Sequence, residues 1–256
     1  MDFATIIGLI TAIGAITGAY ALEGGKMDSI FLAAPLLIVI GGTLGASVIT
    51  TSIQTVYKIP TFLRLAFFGK VNYNAPATIE KLVKLAETAR REGILGLEKF
   101  LPAIRDNYFK QAIKLVVDGT EVTTLRDILE NEIAYLEERH KYGIIFFQKA
   151  GGFSPTMGIL GTVLGLIHTL GSTDDASKMA TSIAGAFIAT LWGVGLANLF
   201  FLPVSDKLRM RHEEEIAHYE LIMEGILAIQ SGENPRSIRT RLLSFVPPVF
   251  RNNQEQ

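Results

Sequence analysis

Four long stretches without a single Asp, Glu, Lys or Arg punctuate this chain: Phe3–Leu22, Ser29–Tyr57, Ala150–Thr173 and Met179–Ser205. Each reaches or exceeds the roughly 20 residues a helix needs to cross a bilayer. Buried helices of a soluble protein explain one such run more easily than four. Between the second and third runs the pattern becomes amphipathic. Ile79, Leu82, Val83 and Ala86 recur at helical spacing, with Gly93 as the stop. Phe109, Ala112, Ile113, Val116 and Val117 share a second helical face. A third helix is expected to begin at Thr124-Leu125-Arg126-Asp127, a capping-box pattern with Asp in the acidic position. Its stripe is Leu125, Ile128, Leu129, Ile133 and Leu136, and no strong breaker separates it from the third apolar run. Beyond the fourth run, Leu208, Ile216, Tyr219, Met223, Ile226 and Leu227 mark one more helix, ending near Gly232 and Pro235.

These patterns predict an all-α, polytopic membrane protein with four transmembrane helices and a helical cytoplasmic domain. Residues 1–57 carry transmembrane helices 1 and 2, and residues 58–149 form the cytoplasmic helical domain. Residues 150–205 carry transmembrane helices 3 and 4, and residues 206–256 form a cytoplasmic C-terminal helix and tail. Composition agrees with this division: 49% of residues are hydrophobic, and mean hydropathy is +0.34. The net charge of -1 offers no footprint for nucleic acid. The absence of cysteine excludes disulfides and thiolate metal sites. No catalytic, cofactor-binding or metal-ligating set is read from the sequence. A cleaved signal peptide is not expected, because the first apolar run is too long and no basic segment precedes it.

Charge then orients the spans. Of the 24 Lys and Arg residues, 15 fall in Lys58–Lys149 and 7 in Asp206–Gln256, while the connectors Glu23–Asp28 and Asp174–Lys178 hold one each. The positive-inside rule therefore places the large loop, the tail and both termini in the cytoplasm.

Candidate chemistry is sparse. Ion-driven machines keep a carboxylate at membrane depth, and none of the four runs contains one. They offer instead Thr162, Thr169, Thr190 and His168. A partner that supplies the carboxylate is the consequence if the chain moves ions. The plainer alternative for Thr162 and Thr190 is a hydroxyl bonded to its own helix, and for His168 a polar contact at the outer end of its span. Gly14/Gly18 and Gly161/Gly165 form two GxxxG pairs, which suit packing within one subunit or contact between subunits equally well. Pro155 and Pro203 sit near the cytoplasmic ends of antiparallel spans, at similar expected depth. They read as ordinary helix-end prolines or as a flexible joint.

The whole chain resembles the MotA/PomA stator family. The resemblance rests on the four-span plan, the loop after the second span, GGFSPTMGILGTVLGLIHTLGS in the third run and ATLWGVGLANLFFLPVSDKL in the fourth. The loop segment ARREGILGLE is similar to the family's rotor-facing segment. The resemblance implies a bacterial inner-membrane stator subunit that works as a homo-oligomer, a pentamer around a dimer of MotB-like partners. The partner's aspartate binds the ion, and the ring pushes the rotor protein FliG. On matching positions Thr190 and Thr162 line the ion pathway and Pro155 and Pro203 couple conformations. Arg90, Arg91 and Glu98 contact the rotor, although from charge alone they are equally solvated surface residues. Sodium-type relatives carry paired threonines where this chain has Ala189-Thr190, which favours H+ over Na+ as the transported ion. Two other classes stay open at this stage: an ExbB/TolQ-like energiser of an envelope protein, and a stand-alone transporter.

Overall fold

A computed structural model describes residues 3–69, 73–171 and 176–247, with the side chains of 3, 4 and 176–178 left aside. Parts of the predicted loop (70–72), outer connector (174 and 175) and tail (248–256) lie outside the described residues. The described chain is all helical, without a strand. It divides into two compact units: Met1–Lys70 with His140–Met210, and Val71–Arg139 with Arg211–Gln256. Hydropathy draws its edges at 57, 149 and 205 instead, because apolar composition and packing contacts end at different residues along a helix.

The first unit opens with α1, Phe3–Leu22. Its surface is apolar all round, with Ile7, Ile10, Ile13 and Ile16 exposed. A helix of that kind requires an apolar surrounding. Next comes α2, Ala33–Ile49, interrupted by a π-helical turn at Leu37–Gly41. Val39, Thr43 and Ser47, spaced four apart, form its buried face. The chain breaks after Ile49, and Ser52 caps α3 (Ile53–Phe68) by accepting a hydrogen bond from the Thr55 amide at 3.3 Å. The second charge-free run is thus two helices, and α3 continues past residue 57 through Lys58 and Arg64. Among the described residues, three helices are long and apolar enough to span a membrane. At 1.5 Å per residue, α2 extends about 25 Å, somewhat short of a ~30 Å hydrocarbon core.

Helix α6, Val122–Leu170, joins the third amphipathic pattern to the third apolar run without a break. It starts at Val122, where the Leu125 amide bonds the Glu121 carbonyl at 2.8 Å, so Thr124 lies inside the first turn and is not the cap. The reason is Gly119, whose φ of +77° closes α5 (Asn107–Val117) and turns the chain straight into the next helix. The fourth run is α7, Ala176–Leu196, a π-helical turn at Ala197–Phe201, and the beginning of α8, Leu202–Gln230.

In the second unit, α4 (Ala75–Glu92) is capped by Asn74 and stops at Gly93, where φ is +80°. A 3-10 segment, Ile94–Ala103, leads to α5, capped by Asp106. Ile79, Leu82, Ile113, Leu125, Leu129 and Ile226 form one core there, as the periodicity predicts, together with Ile222, which it does not mark. Gly225 lets α8 approach α4: a Cβ on it would lie 2.6 Å from Leu82 Cδ1. The last helix, α9 (Pro235–Leu242), was not anticipated. Pro235 looks like a breaker, but after the Asn234 cap it occupies the first turn, where its missing N–H costs nothing.

Candidate ion path and coupling sites

Small residues set the geometry of the first unit. A Cβ on Gly158 would lie 2.9 Å from the Ala189 carbonyl, one on Gly161 would lie 2.7 Å from Ala189 Cβ, and one on Gly165 would lie 2.8 Å from Ala186 Cβ. A Cβ on Gly193 would meet the Ser154 carbonyl at 2.7 Å. Helices α6 and α7 therefore touch backbone to backbone. The Gly161/Gly165 pair packs within the chain, whereas Gly14 and Gly18 meet nothing within 4 Å. Two buried serines fix the register: Ser154 Oγ donates to the Gly193 carbonyl at 2.8 Å and Ser205 Oγ to the Ile144 carbonyl at 3.0 Å. Such bonds are favoured where water is absent.

This contact brings Thr162 and Thr190 together, their hydroxyl oxygens 2.5 Å apart. Thr162 Oγ1 also lies 3.1 Å from the Gly158 carbonyl and 3.1 Å from the Ala186 carbonyl. A hydroxyl has one proton, so one threonine donates to the other and the acceptor's own proton goes to a carbonyl, Gly158 or Ala186 for Thr162 and Gly158 at 3.5 Å for Thr190. The bland alternative, a bond to the residue's own helix, holds in part for Thr162; for Thr190 the short contact is across helices. Thr169 follows that alternative, donating to Gly165 at 2.8 Å, and His168 is exposed two residues from the end of α6. Ala189, beside Thr190, is buried against Gly161.

The prolines are not at one level. Contacts 158/193, 161/189 and 144/205 place Pro155 opposite about Gly195 and Pro203 opposite about Phe147. They are separated by about eight residues, roughly 12 Å at 1.5 Å per residue. The expectation of similar depth fails because each proline lies at a different distance from the helix crossing. Pro155 is inside α6, and its ring removes the bond that would reach the Gly151 carbonyl. Pro203 follows the π-helical turn Ala197–Phe201, whose wider turn accommodates a ring that would clash with the Leu199 carbonyl.

Arg90 and Arg91 are exposed in the last turn of α4, and Glu98 is exposed across the Gly93 turn. None of the three forms a salt bridge among the described residues, whereas their chain neighbours Glu92 and Lys99 pair at 2.5 Å. Sequence reasoning missed three groups. Ser154 and Thr43 are fully buried on small-residue faces, and the Thr43 hydroxyl has no partner among the described residues. Trp192 Nε1 donates to the Ile30 carbonyl at 2.7 Å while its ring packs on Phe31. The lone tryptophan was the available signal for that anchor.

This combination defines a class: an all-helical membrane subunit with hydroxyls, and no carboxylate, in its apolar runs. Residues 6–93 match the motility protein A N-terminal family, and residues 101–221 match the MotA/TolQ/ExbB proton channel family. Motility protein A of Borreliella burgdorferi is 37% identical over 98% of this chain and 96% of its own length. The Bacillus subtilis flagellar MotAB stator complex contains a chain with TM-score 0.92 and 32% identity, covering 98% of both chains. The C. jejuni MotAB structure gives a TM-score of 0.91 at 31% identity over 97% of both chains. The chain belongs to the motility protein A family. It is a membrane-embedded stator subunit of the flagellar motor.

Proposed function

We propose that this subunit conducts protons, rather than sodium, along a path completed by a MotB-like partner in the bacterial inner membrane. A pentamer of this chain surrounds a partner dimer, with four spans per subunit and cytoplasmic termini. The partner contributes the intramembrane aspartate, and the Thr162–Thr190 hydroxyl pair lines the path beside it. Pro155 and Pro203 couple the spans to the cytoplasmic helices, and Arg90, Arg91 and Glu98 press on FliG.

One observation carries this reading: two hydroxyls 2.5 Å apart on spans that contain no carboxylate of their own. Hydroxyls can relay or orient a proton carrier, but they cannot bind and release a cation by titration near neutral pH. Ala189 supports the proton assignment, since it packs on Gly161 where a second threonine would add a ligand oxygen. Cells whose only stator subunit of this type is this chain should swim at unchanged speed in sodium-free medium and stop when a protonophore is added. Swimming that requires sodium overturns the ion assignment.

A further inference from the structure

The second unit holds a cavity of about 560 Å³, within the range of small-molecule sites. Lys81 and Lys84, neighbours on the exposed side of α4, and Arg105, ahead of α5, line it. None of these three side chains has a salt bridge or hydrogen bond among the described residues. Elsewhere in the same unit four basic side chains find acids, although Arg90 and Arg91 do not. Arg239 pairs with Glu80, Arg241 with Glu224 and Glu233, Lys99 with Glu92, and Arg126 with Glu130. Glu80, one residue from Lys81, is thus already engaged.

Asp106 is the one acid lining the cavity, and it is occupied twice. It accepts from the Phe109 amide at 3.0 Å and pairs with His218 Nε2 at 3.1 Å. Glu215 bonds the Tyr73 hydroxyl beside the cavity, so the three cations outnumber the two carboxylates and the cavity carries a net positive charge. Apart from Asn74 and Thr78, its remaining wall is apolar or aromatic. The Tyr73 ring stacks on His218 with centroids 4.4 Å apart, and Phe100 lies in the same lining. The His218 side chain is 9% exposed, and its Nδ1 has no partner among the described residues. Three free cations beside planar rings and a free buried nitrogen fit a ligand with two parts. Lysine and arginine suit phosphate oxygens, and aromatic faces suit a planar ring.

We propose that this cavity binds a small polyanion bearing a planar ring, the chemistry of a nucleoside polyphosphate. The phosphates lie on Lys81, Lys84 and Arg105, and the ring lies toward Tyr73, His218 and Phe100. The proposal concerns the second unit alone and stands apart from the ion path and the rotor contact.

The test uses the purified full-length chain in complex with its membrane partner, with labelled ATP and inorganic pyrophosphate as probes in equilibrium dialysis. Saturable binding of ATP is expected, weakened at least about tenfold by Lys81→Glu/Lys84→Glu and by raised salt, with pyrophosphate at least about tenfold weaker than ATP. Both lysines are exposed, so circular dichroism of the double variant should match the wild type. A second variant, Phe100→Leu, should weaken ATP and leave pyrophosphate unchanged. No saturable ATP binding up to about 1 mM, or equal binding by the Lys81→Glu/Lys84→Glu variant, overturns the site. Pyrophosphate binding as tightly as ATP overturns the ligand class.

Discussion

The hydroxyl of Thr190 on α7 meets the hydroxyl of Thr162 on α6 at 2.5 Å, at the level where Gly158, Gly161 and Gly193 bring the two helices into backbone contact. The two residues are not equivalent. Thr162 has two further carbonyl neighbours at 3.1 Å, whereas among the described residues Thr190 has only the Gly158 carbonyl at 3.5 Å.

This asymmetry separates function from stability. In Thr190→Val, Thr162 still has carbonyls to bond, so membrane abundance should stay near wild type while swimming is lost. In Thr162→Val, Thr190 is left with one long contact, and an unsatisfied hydroxyl in a dry interface costs about 1–3 kcal/mol. That variant should lose abundance as well. Thr190→Ser should retain motility. Immunoblots of membranes beside swimming speeds decide the matter, and normal swimming by Thr190→Val would remove Thr190 from the ion path.

Pro155→Ala and Pro203→Ala each return an N–H to a helix that now bends without it. Both should lower swimming speed at unchanged membrane abundance. With roughly 12 Å between them along the bundle, their effects on stability should add within about 0.5 kcal/mol. A double variant that swims normally would leave the prolines as helix-shaping residues only.

Arg90 and Arg91 end α4, and Glu98 lies beyond the Gly93 turn, all exposed. Exposed charges contribute about 0–1 kcal/mol or less to folding, yet they can steer and orient a partner. Arg90→Glu should slow swimming without loss of protein, Arg91 giving partial backup, and a charge reversal on the rotor protein should restore part of the speed. Normal swimming by Arg90→Glu, Glu98→Lys and the Arg90/Arg91 double reversal would contradict a rotor contact here.

Asp106 both caps α5 and pairs with His218. Burial would raise its pKa, but the bond to His218 and the amides of Phe109 and Tyr108 outweigh burial and hold it below the usual aspartate value. A depressed pKa contributes stability above the ordinary aspartate range and loses it as pH falls through the lowered value. Glu132 works in the opposite sense: burial, then the Asp106 charge, raise its pKa, so its contribution fades as pH rises. The informative quantity is thus the difference between wild type and Asp106→Asn. Asp106→Asn keeps an oxygen for the cap, and its deficit should shrink as pH falls through the acidic range. Asp106→Ala should cost about 1 kcal/mol more at every pH, by loss of the cap. Thermal unfolding in detergent measures both, and a pH-independent deficit in Asp106→Asn would contradict the assignment.

The apolar runs and the helical faces were legible because burial leaves a local trace in composition and spacing. Leu125, Leu129 and Ile133 reveal their face without knowledge of what covers it. Partnerships across the chain leave no such trace. Nothing near Thr162 indicates Thr190, and nothing near Asp106 indicates His218, 112 residues away. The break at Thr50–Ser52 hides inside a charge-free run, where counting charges is blind to backbone geometry. Pro235 misleads because proline ends a helix in one position and starts it in another. The GxxxG pairs show the same limit: their sequences are alike, and only packing tells the enclosed pair from the open one.

The central claim is that this subunit lines an ion path it cannot complete alone. Proton flux into liposomes tests it most directly, with the purified chain reconstituted by itself, with its MotB-like partner, and with that partner's intramembrane aspartate changed to asparagine. The account predicts background flux from the chain alone, measurable flux from the pair, and background again from the asparagine variant. Robust proton flux through the chain alone would contradict it.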